Sequence, residues 1–162
     1  MPVLRHRGGT WIGWPGASES VPDLSQELAA VSDDAGYALR GVALTAEEVH
    51  GFYEGFANEV IWPLFHDLQS LCNFDPEYWR TYCTVNRKFA YVVREASSPE
   101  DFIWVHDYHL MLVPRFIRDR VPDQPVGFFL HVPWPSPDIY ARLPWREQIL
   151  WGLLGADAIA FH

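Results

Sequence analysis

Phe102-Ile103-Trp104-Val105-His106-Asp107-Tyr108-His109 is the stretch that decides the fold. The run Phe102 to Val105, half aromatic and half β-branched, is too short for a helix and suits a buried strand, and it then gives way to ionisable side chains. The same pattern recurs downstream. Residues 110 to 120 predict a helix, Val126-Gly127-Phe128-Phe129-Leu130 a second strand, Pro144 to Leu154 a helix, and Ala158-Ile159-Ala160-Phe161 a third strand. Strands alternating with helices predict a parallel α/β layout, in which every strand points its carboxyl end at one edge of the sheet. Open α/β folds bind ligands at that edge. The first strand ends in His106-Asp107-Tyr108-His109, the second in His131 and the third in His162. One histidine at a strand end reads as a structural residue. Three in register, one followed directly by a carboxylate, form a site-like constellation.

Upstream, Thr10-Trp11-Ile12-Gly13-Trp14-Pro15-Gly16 predicts a short strand running into a turn. Residues 17 to 40 read as an irregular connection and Val42-Ala43-Leu44 as a brief strand. Thr45-Ala46-Glu47-Glu48 is a capping box that starts a helix at Ala46, with Val49, Phe52, Tyr53 and Phe56 at helical spacing. Pro63 falls in a second aromatic stretch, Trp62 to Leu68. Asp75-Pro76 starts another helix, whose apolar stripe of Tyr78, Tyr82, Val85, Phe89 and Val92 runs through to Glu95.

Composition narrows the function classes. The 162 residues are 49% hydrophobic, enough for one core, and 12 basic against 21 acidic residues give a net charge of -9. That balance disfavours a nucleic-acid partner. No apolar run approaches the length of a membrane span and the first residues lack a leader pattern, so the expectation is a cytoplasmic protein with no membrane partner. Cys72 and Cys83 stand alone in segments that read as helical and predict two reduced thiols. Eight Trp, seven Tyr and ten Phe suit sugar ligands, which alternate C–H faces with hydroxyl rims, although aromatics taken alone read as core. There is no Gly-x-Gly-x-x-Gly after a strand and no phosphate loop. His106 and His109 sit at a turn without a His-Glu-x-x-His pattern, which argues against a metal site. A glycosidase needs a second carboxylate facing Asp107, and the neighbouring strand ends supply histidine instead.

His106-Asp107-Tyr108-His109-Leu110, Gly127-Phe128-Phe129-Leu130-His131-Val132-Pro133, Leu143-Pro144 and Gly152-Leu153-Leu154-Gly155-Ala156-Asp157 together resemble the trehalose-6-phosphate synthases of glycosyltransferase family 20. The blocks from Arg7 to Gly16, from Tyr53 to Asn58 and from Trp62 to His66 fit the family in order and spacing. The resemblance covers nearly the whole chain, residues 17 to 40 least well. It implies a retaining glycosyltransferase of GT-B fold, with two Rossmann-like domains facing across a cleft and no metal or other cofactor. The substrates it implies are UDP-glucose, or another nucleotide-activated glucose, and glucose 6-phosphate. It makes residues 1–162 an incomplete N-terminal, acceptor-side Rossmann-like domain, a parallel sheet flanked by helices, with the C-terminal donor domain absent; it also admits a homo-oligomer in the full-length protein.

Carried over by position, the resemblance puts Tyr53 at the acceptor phosphate and Trp14 and Trp62 along its sugar. Asp107 would accept hydrogen bonds from acceptor hydroxyls, His131 would reach the donor glucose, and Val132 would narrow the pocket around the linkage. Asp107 and His131 are thus the expected catalytic pair, and a carboxylate and a neutral imidazole suit that work by position and electrostatics rather than as bases. Trp11 and Phe128 are expected in the core, and His66 and His109 as local hydrogen-bonding residues. Departures from the family pattern are Trp134 for phenylalanine, Asp138 for glutamate and Ala160 for glycine, and the family's opening strand and donor Gly-Gly loop are not seen. Alternative readings are a family relative with another acceptor, such as a glucosylglycerol-phosphate synthase or a pseudo-glycosyltransferase, and a non-catalytic regulatory module. Asp107 also has a purely structural reading, as the cap of the helix after its strand.

Overall fold

Gly8 and Gly9, both at positive φ, turn helix α1 (Pro2–Arg7) into strand β1 (Thr10–Gly13). The structure is a computed structural model and describes residues 2–16 and 24–161. After helix α2 (Leu24–Ala35), strand β2 (Ala38–Gly41) pairs with β1 in parallel, Thr10 opposite Ala38 and Gly13 opposite Gly41. The irregular connection expected over residues 17 to 40 is therefore structured from Leu24 onward, while residues 17–23 lie outside the described residues. Its polar residues act as ties. Gly36, at φ 74°, donates its N–H to Ser32 O at 3.0 Å and stops α2, while the Ser32 hydroxyl donates to Leu28 O and accepts from Leu39 N. The brief strand expected at residues 42 to 44 stands instead at Ala38–Gly41, and Leu44 makes only an isolated bridge. Trp11, expected in the core, is 39% exposed.

The chain divides into two compact units, Met1–Ala46 and Glu47–His162. Helix α3 (Ala46–Glu48), which begins on the last residue of the first unit, starts where the capping box predicts and passes into a π-helix (Val49–Ile61) and then α4 (Trp62–Phe65). Buried residues recur in the π-helix as Gly51 and Phe52, then Gly55, Phe56 and Ala57, then Val60 and Ile61. That spacing is wider than the 3.6 residues of an α-helix and matches the broader π turn. Gly51 and Gly55 allow close approach to α5 (Pro76–Ala96): a Cβ there would lie 2.7 Å from Thr81 Oγ1 and 2.6 Å from the Tyr78 ring. Helix α5 begins as Asp75-Pro76 predicts, with the Asp75 carboxylate accepting from Glu77 N at 2.8 Å.

Strands β3 (Ile103–His106), β4 (Val126–Leu130) and β5 (Ala158–Phe161) form a parallel sheet in that order, with Val105 opposite Phe128 and Phe128 opposite Ile159. Helix α6 (Val113–Arg118) joins β3 to β4, and α7 (Pro137–Tyr140) and α8 (Arg146–Leu153) join β4 to β5. On one face Val105, Val126, Phe128 and Leu130 are buried, as the alternation along each strand requires. The Phe128 expectation is met. Helix α6 touches α5, α8 and β4, and Gly152 and Gly155 let α8 and the turn after it close on α6, since a Cβ would fall 2.5 Å from Met111 O and 2.3 Å from Arg115 N. The other face departs from the fully buried strand expected, because Phe102 and Trp104 are 62% and 49% exposed. Cys83 lies in α5, but Cys72 sits in extended backbone rather than a helix; both are free, and burial pushes the Cys83 thiol up to about 11.

Candidate active site

The parallel register places the carboxyl ends of β3 and β4 side by side. His106 pairs with Phe129, and Asp107 N donates to Phe129 O at 2.8 Å. The chain then turns sharply. Asp107 has φ 71° and ψ 168°, a region that only glycine occupies without strain, at a cost of about 1–3 kcal/mol. Its carboxylate helps hold that conformation. Oδ1 accepts from Tyr108 N at 3.0 Å, capping the 3-10 turn Tyr108–Leu110, and from His131 N at 3.3 Å. Among the described residues no hydrogen bond goes to Oδ2. The capping role thus falls on one oxygen of the carboxylate.

The turn is held from beneath by two buried polar residues of α5. The Tyr82 hydroxyl donates to Tyr108 O at 2.8 Å and accepts from Met111 N at 3.1 Å. Asn86 Nδ2 donates to Tyr82 O and His109 O, both at 3.0 Å, and its Oδ1 accepts from Leu112 N at 3.1 Å. Every polar group of this pair is used, which is what makes burial of an amide and a phenol tolerable. Burial pushes the Tyr82 hydroxyl far above the usual phenol range, so it stays a neutral donor.

Asp107 and His131 are therefore brought together, as the strand ends predict. His131 is exposed, and its Nε2 lies 3.0 Å from His106 Nδ1, the two rings edge to edge with centroids 5.3 Å apart and their planes 14° from parallel. Burial first, then the nearby His131, lowers the pKa of His106, with Asp107 opposing. Tyr53, 39% exposed, joins the cluster through His109: their rings stack 5.5 Å apart, and His109 stacks in turn on Tyr108 at 4.1 Å. Burial and the Asp107 charge lift the Tyr108 hydroxyl to about 12. Trp62, 40% exposed, stacks on His66 at 4.2 Å, and His66 Nδ1 engages Trp62 O, the local bond expected of that histidine. Val132 is half-buried directly after His131. Trp14 is half-buried in the first unit, whereas the other five expected residues belong to the second. His162 lies outside the described residues.

The chain matches the model of glycosyltransferase family 20 over residues 2–162. The chain belongs to glycosyltransferase family 20. Trehalose-6-phosphate synthase of Mycolicibacterium gilvum (strain PYR-GCK) is 42% identical over 161 residues, covering 99% of this chain and 32% of that protein. Among solved structures, an alpha,alpha-trehalose-phosphate synthase (UDP-forming) from Burkholderia vietnamiensis is similar, with TM-score 0.87 and 32% identity over 98% of this chain and 35% of that one. Another, from Burkholderia xenovorans in complex with glucose-6-phosphate, has TM-score 0.84 and 27% identity over 98% of this chain and 34% of that one. This family 20 chain spans about a third of the length of the relatives it matches.

Two features of the family 20 turn escape sequence reasoning. His109, expected to be a local hydrogen-bonding residue, keeps its buried Nε2 without a partner among the described residues and works instead as a stacking plate under Tyr53. The Tyr82 and Asn86 clamp was legible only as an anomaly, a polar residue four positions after Tyr82 on the apolar stripe of a long helix. No group of three or more His, Cys, Asp or Glu able to hold a metal ion occurs among the described residues, and none of their helices is long and apolar enough to cross a membrane.

Proposed function

We propose that this chain is the acceptor side of an α,α-trehalose-phosphate synthase, transferring glucose with retention from UDP-glucose to glucose 6-phosphate in the cytoplasm. The observation that carries the proposal is Asp107. It is a carboxylate held in glycine-only backbone geometry at a sheet edge, with Oδ1 spent on two backbone amides and Oδ2 left for a ligand. Strained residues of this kind persist where function needs them. Oδ2 accepts from an acceptor hydroxyl, His131 orients a donor hydroxyl, and Tyr53, backed by His109, reaches the acceptor phosphate. Trp62 and Val132 flank the sugar, and Trp14 keeps the sugar-contacting role that the resemblance gives it. The likeness to an enzyme solved with glucose-6-phosphate and to a UDP-forming synthase supports these substrate classes. Residues 1–162 alone are not expected to transfer glucose, because the cations for the donor diphosphate come from a second, C-terminal domain. Homo-oligomers belong to the full-length protein.

The test uses a chain of the relatives' full length that carries this segment. Asp107→Asn keeps a cap oxygen but replaces the free oxygen by an amide donor, and kcat/KM should fall by about 2–4 kcal/mol of transition-state stabilisation with folding little changed. Tyr53→Phe should raise KM for glucose 6-phosphate more than KM for the donor. A folded, fully active Asp107→Asn enzyme would reduce Asp107 to a cap and remove it from the site.

A further inference from the structure

The helix after β3 starts later than its backbone allows. In an α-helix beginning at Tyr108, Leu112 N would donate to Tyr108 O and Met111 N to Asp107 O. Here all four groups are paired elsewhere. Leu112 N donates to Asn86 Oδ1 and Met111 N to the Tyr82 hydroxyl, both at 3.1 Å. Tyr108 O accepts from the same hydroxyl at 2.8 Å, and Asp107 O accepts from Leu110 N at 3.1 Å. Helix α6 begins only at Val113. We propose that Tyr82 and Asn86 are positioning residues for Asp107: by taking the bonds of a first helical turn they stop α6 from starting at Tyr108, and so keep the Asp107 carboxylate on the end of β4.

The state they prevent is an ordinary helix start. An N-cap residue sits in the β region, and its side-chain oxygen accepts from the second or third helical N–H, which here would be His109 N or Leu110 N. Asp107 does neither. Its φ is 71°, and Oδ1 accepts from Tyr108 N at 3.0 Å and, across the sheet edge, from His131 N at 3.3 Å. The end of the turn is already helical in its angles, with Met111 at φ -65°, ψ -15° and Leu112 at φ -94°, ψ -16°. Little has to move there for α6 to lengthen backwards. A residue in a glycine-only conformation persists when its surroundings over-determine it, and the two side chains from α5 supply that.

The clamp is itself well fixed. Tyr82 and Asn86 are fully buried, lie one turn apart on the 21-residue α5, and are tied by Asn86 Nδ2 donating to Tyr82 O at 3.0 Å. The same amide donates to His109 O at 3.0 Å, beneath the ring that stacks on Tyr53. One asparagine thus anchors both the carboxylate turn and the plate under the tyrosine. That the carboxylate is aimed at an acceptor hydroxyl rests on the function proposed above, but the choice between two backbone registers does not.

The experiment uses a chain of the relatives' full length that carries this segment. Tyr82→Phe deletes one hydroxyl, Asn86→Leu deletes the amide, and Val126→Ala is a core truncation at the far end of β4 that serves as a destabilised control. In the two clamp variants, carbon-13 shifts of Tyr108 to Leu112 should move toward helical values, and that of Asp107 should leave its positive-φ position. Per folded molecule, kcat/KM for glucose 6-phosphate should fall by about tenfold or more, as for a misplaced reacting group, with KM for the donor little changed. Val126→Ala should alter neither the shifts nor the rate per folded molecule, which separates aiming from stability. Unmoved shifts in folded Tyr82→Phe and Asn86→Leu overturn the proposal. So does full activity in a variant whose shifts have moved, where Asp107→Asn is impaired. Failure of both variants to fold overturns it as well, since the bonds would then secure the fold rather than aim the carboxylate. A fully active Asp107→Asn enzyme removes the synthase role of Asp107 alone, and the register then stands or falls on the shifts.

Discussion

Two turns meet at the sheet edge and are held by different physics. The turn after β3, Asp107 to Leu112, is fastened by directional hydrogen bonds from Tyr82 and Asn86 below and from the Asp107 carboxylate within. The turn after β4, His131 to Ser136, is held by prolines at 133 and 135 and by Trp134, whose ring lies 5.3 Å from Phe65, 4.8 Å from Tyr140 and 6.0 Å from Phe161. Only the first contains a residue in a glycine-only conformation. Non-directional packing can seat a relaxed turn, whereas a strained one needs bonds with fixed geometry.

The largest expected effect comes from cutting those bonds. Asn86→Leu keeps the volume but strands His109 O and Leu112 N in the interior, and should cost about 3–5 kcal/mol in urea unfolding followed by tryptophan fluorescence. Tyr82→Phe, which strands Tyr108 O and Met111 N, should cost about 2 kcal/mol. Either variant unfolding like the unaltered chain would show that packing alone secures this turn.

Strain itself is measured by a pair of substitutions at one position. Asp107→Ala and Asp107→Gly both delete the carboxylate, but only glycine relaxes at φ 71°, so the glycine variant should be the more stable by about 1–3 kcal/mol. Equal stabilities would place Asp107 in a relaxed conformation and dissolve the contrast between the turns. For the second turn, Trp134→Ala should cost about 1–2 kcal/mol, since its ring is half-buried, and should leave hydrogen exchange at Tyr108 to Leu112 unchanged. Faster exchange there would mean that the two turns share one support.

The smallest effect is the response to acid. Burial lowers the pKa of His109 and, with the His131 charge, that of His106 from an ordinary value of 6.5. The unfolded chain therefore binds protons that the folded chain refuses, and stability should fall as pH drops below about 6.5. The melting temperature at pH 5.5 should lie below that at pH 7.5, and His109→Phe should flatten the difference. An identical slope in that variant would exclude His109 as a source.

The contrast also explains what was legible in the sequence. The runs at 103–106, 126–130 and 158–161 announced a parallel sheet because apolar, β-branched and aromatic residues cluster there, and the meeting of Asp107 with His131 followed from strand polarity alone. Helix α2 and strand β2 were hidden because Ser32 and Gly36 look like loop residues until their bonds are seen. The π turn of Val49–Ile61 was hidden because the start of an α- and a π-stripe is the same. Tyr53 and Trp62 carry no local signal that separates ligand contact from packing, so their roles came from the resemblance. The Asp107 backbone, the plainest mark of a site, is invisible to composition.

Parallel pairing has one more consequence, for how the site comes into being. None of the ladders can start from a hairpin: β3 reaches β4 only across α6, and β4 reaches β5 only across α7 and α8. Pairings of this kind close large loops before they return any energy, so they form late in folding. Asp107 Oδ1 meets His131 N, and His106 meets His131, only when β3 and β4 have zipped to their last residues. No peptide excised around either histidine can therefore carry the site in miniature, and a nascent chain has none of it until β4 has been made and docked.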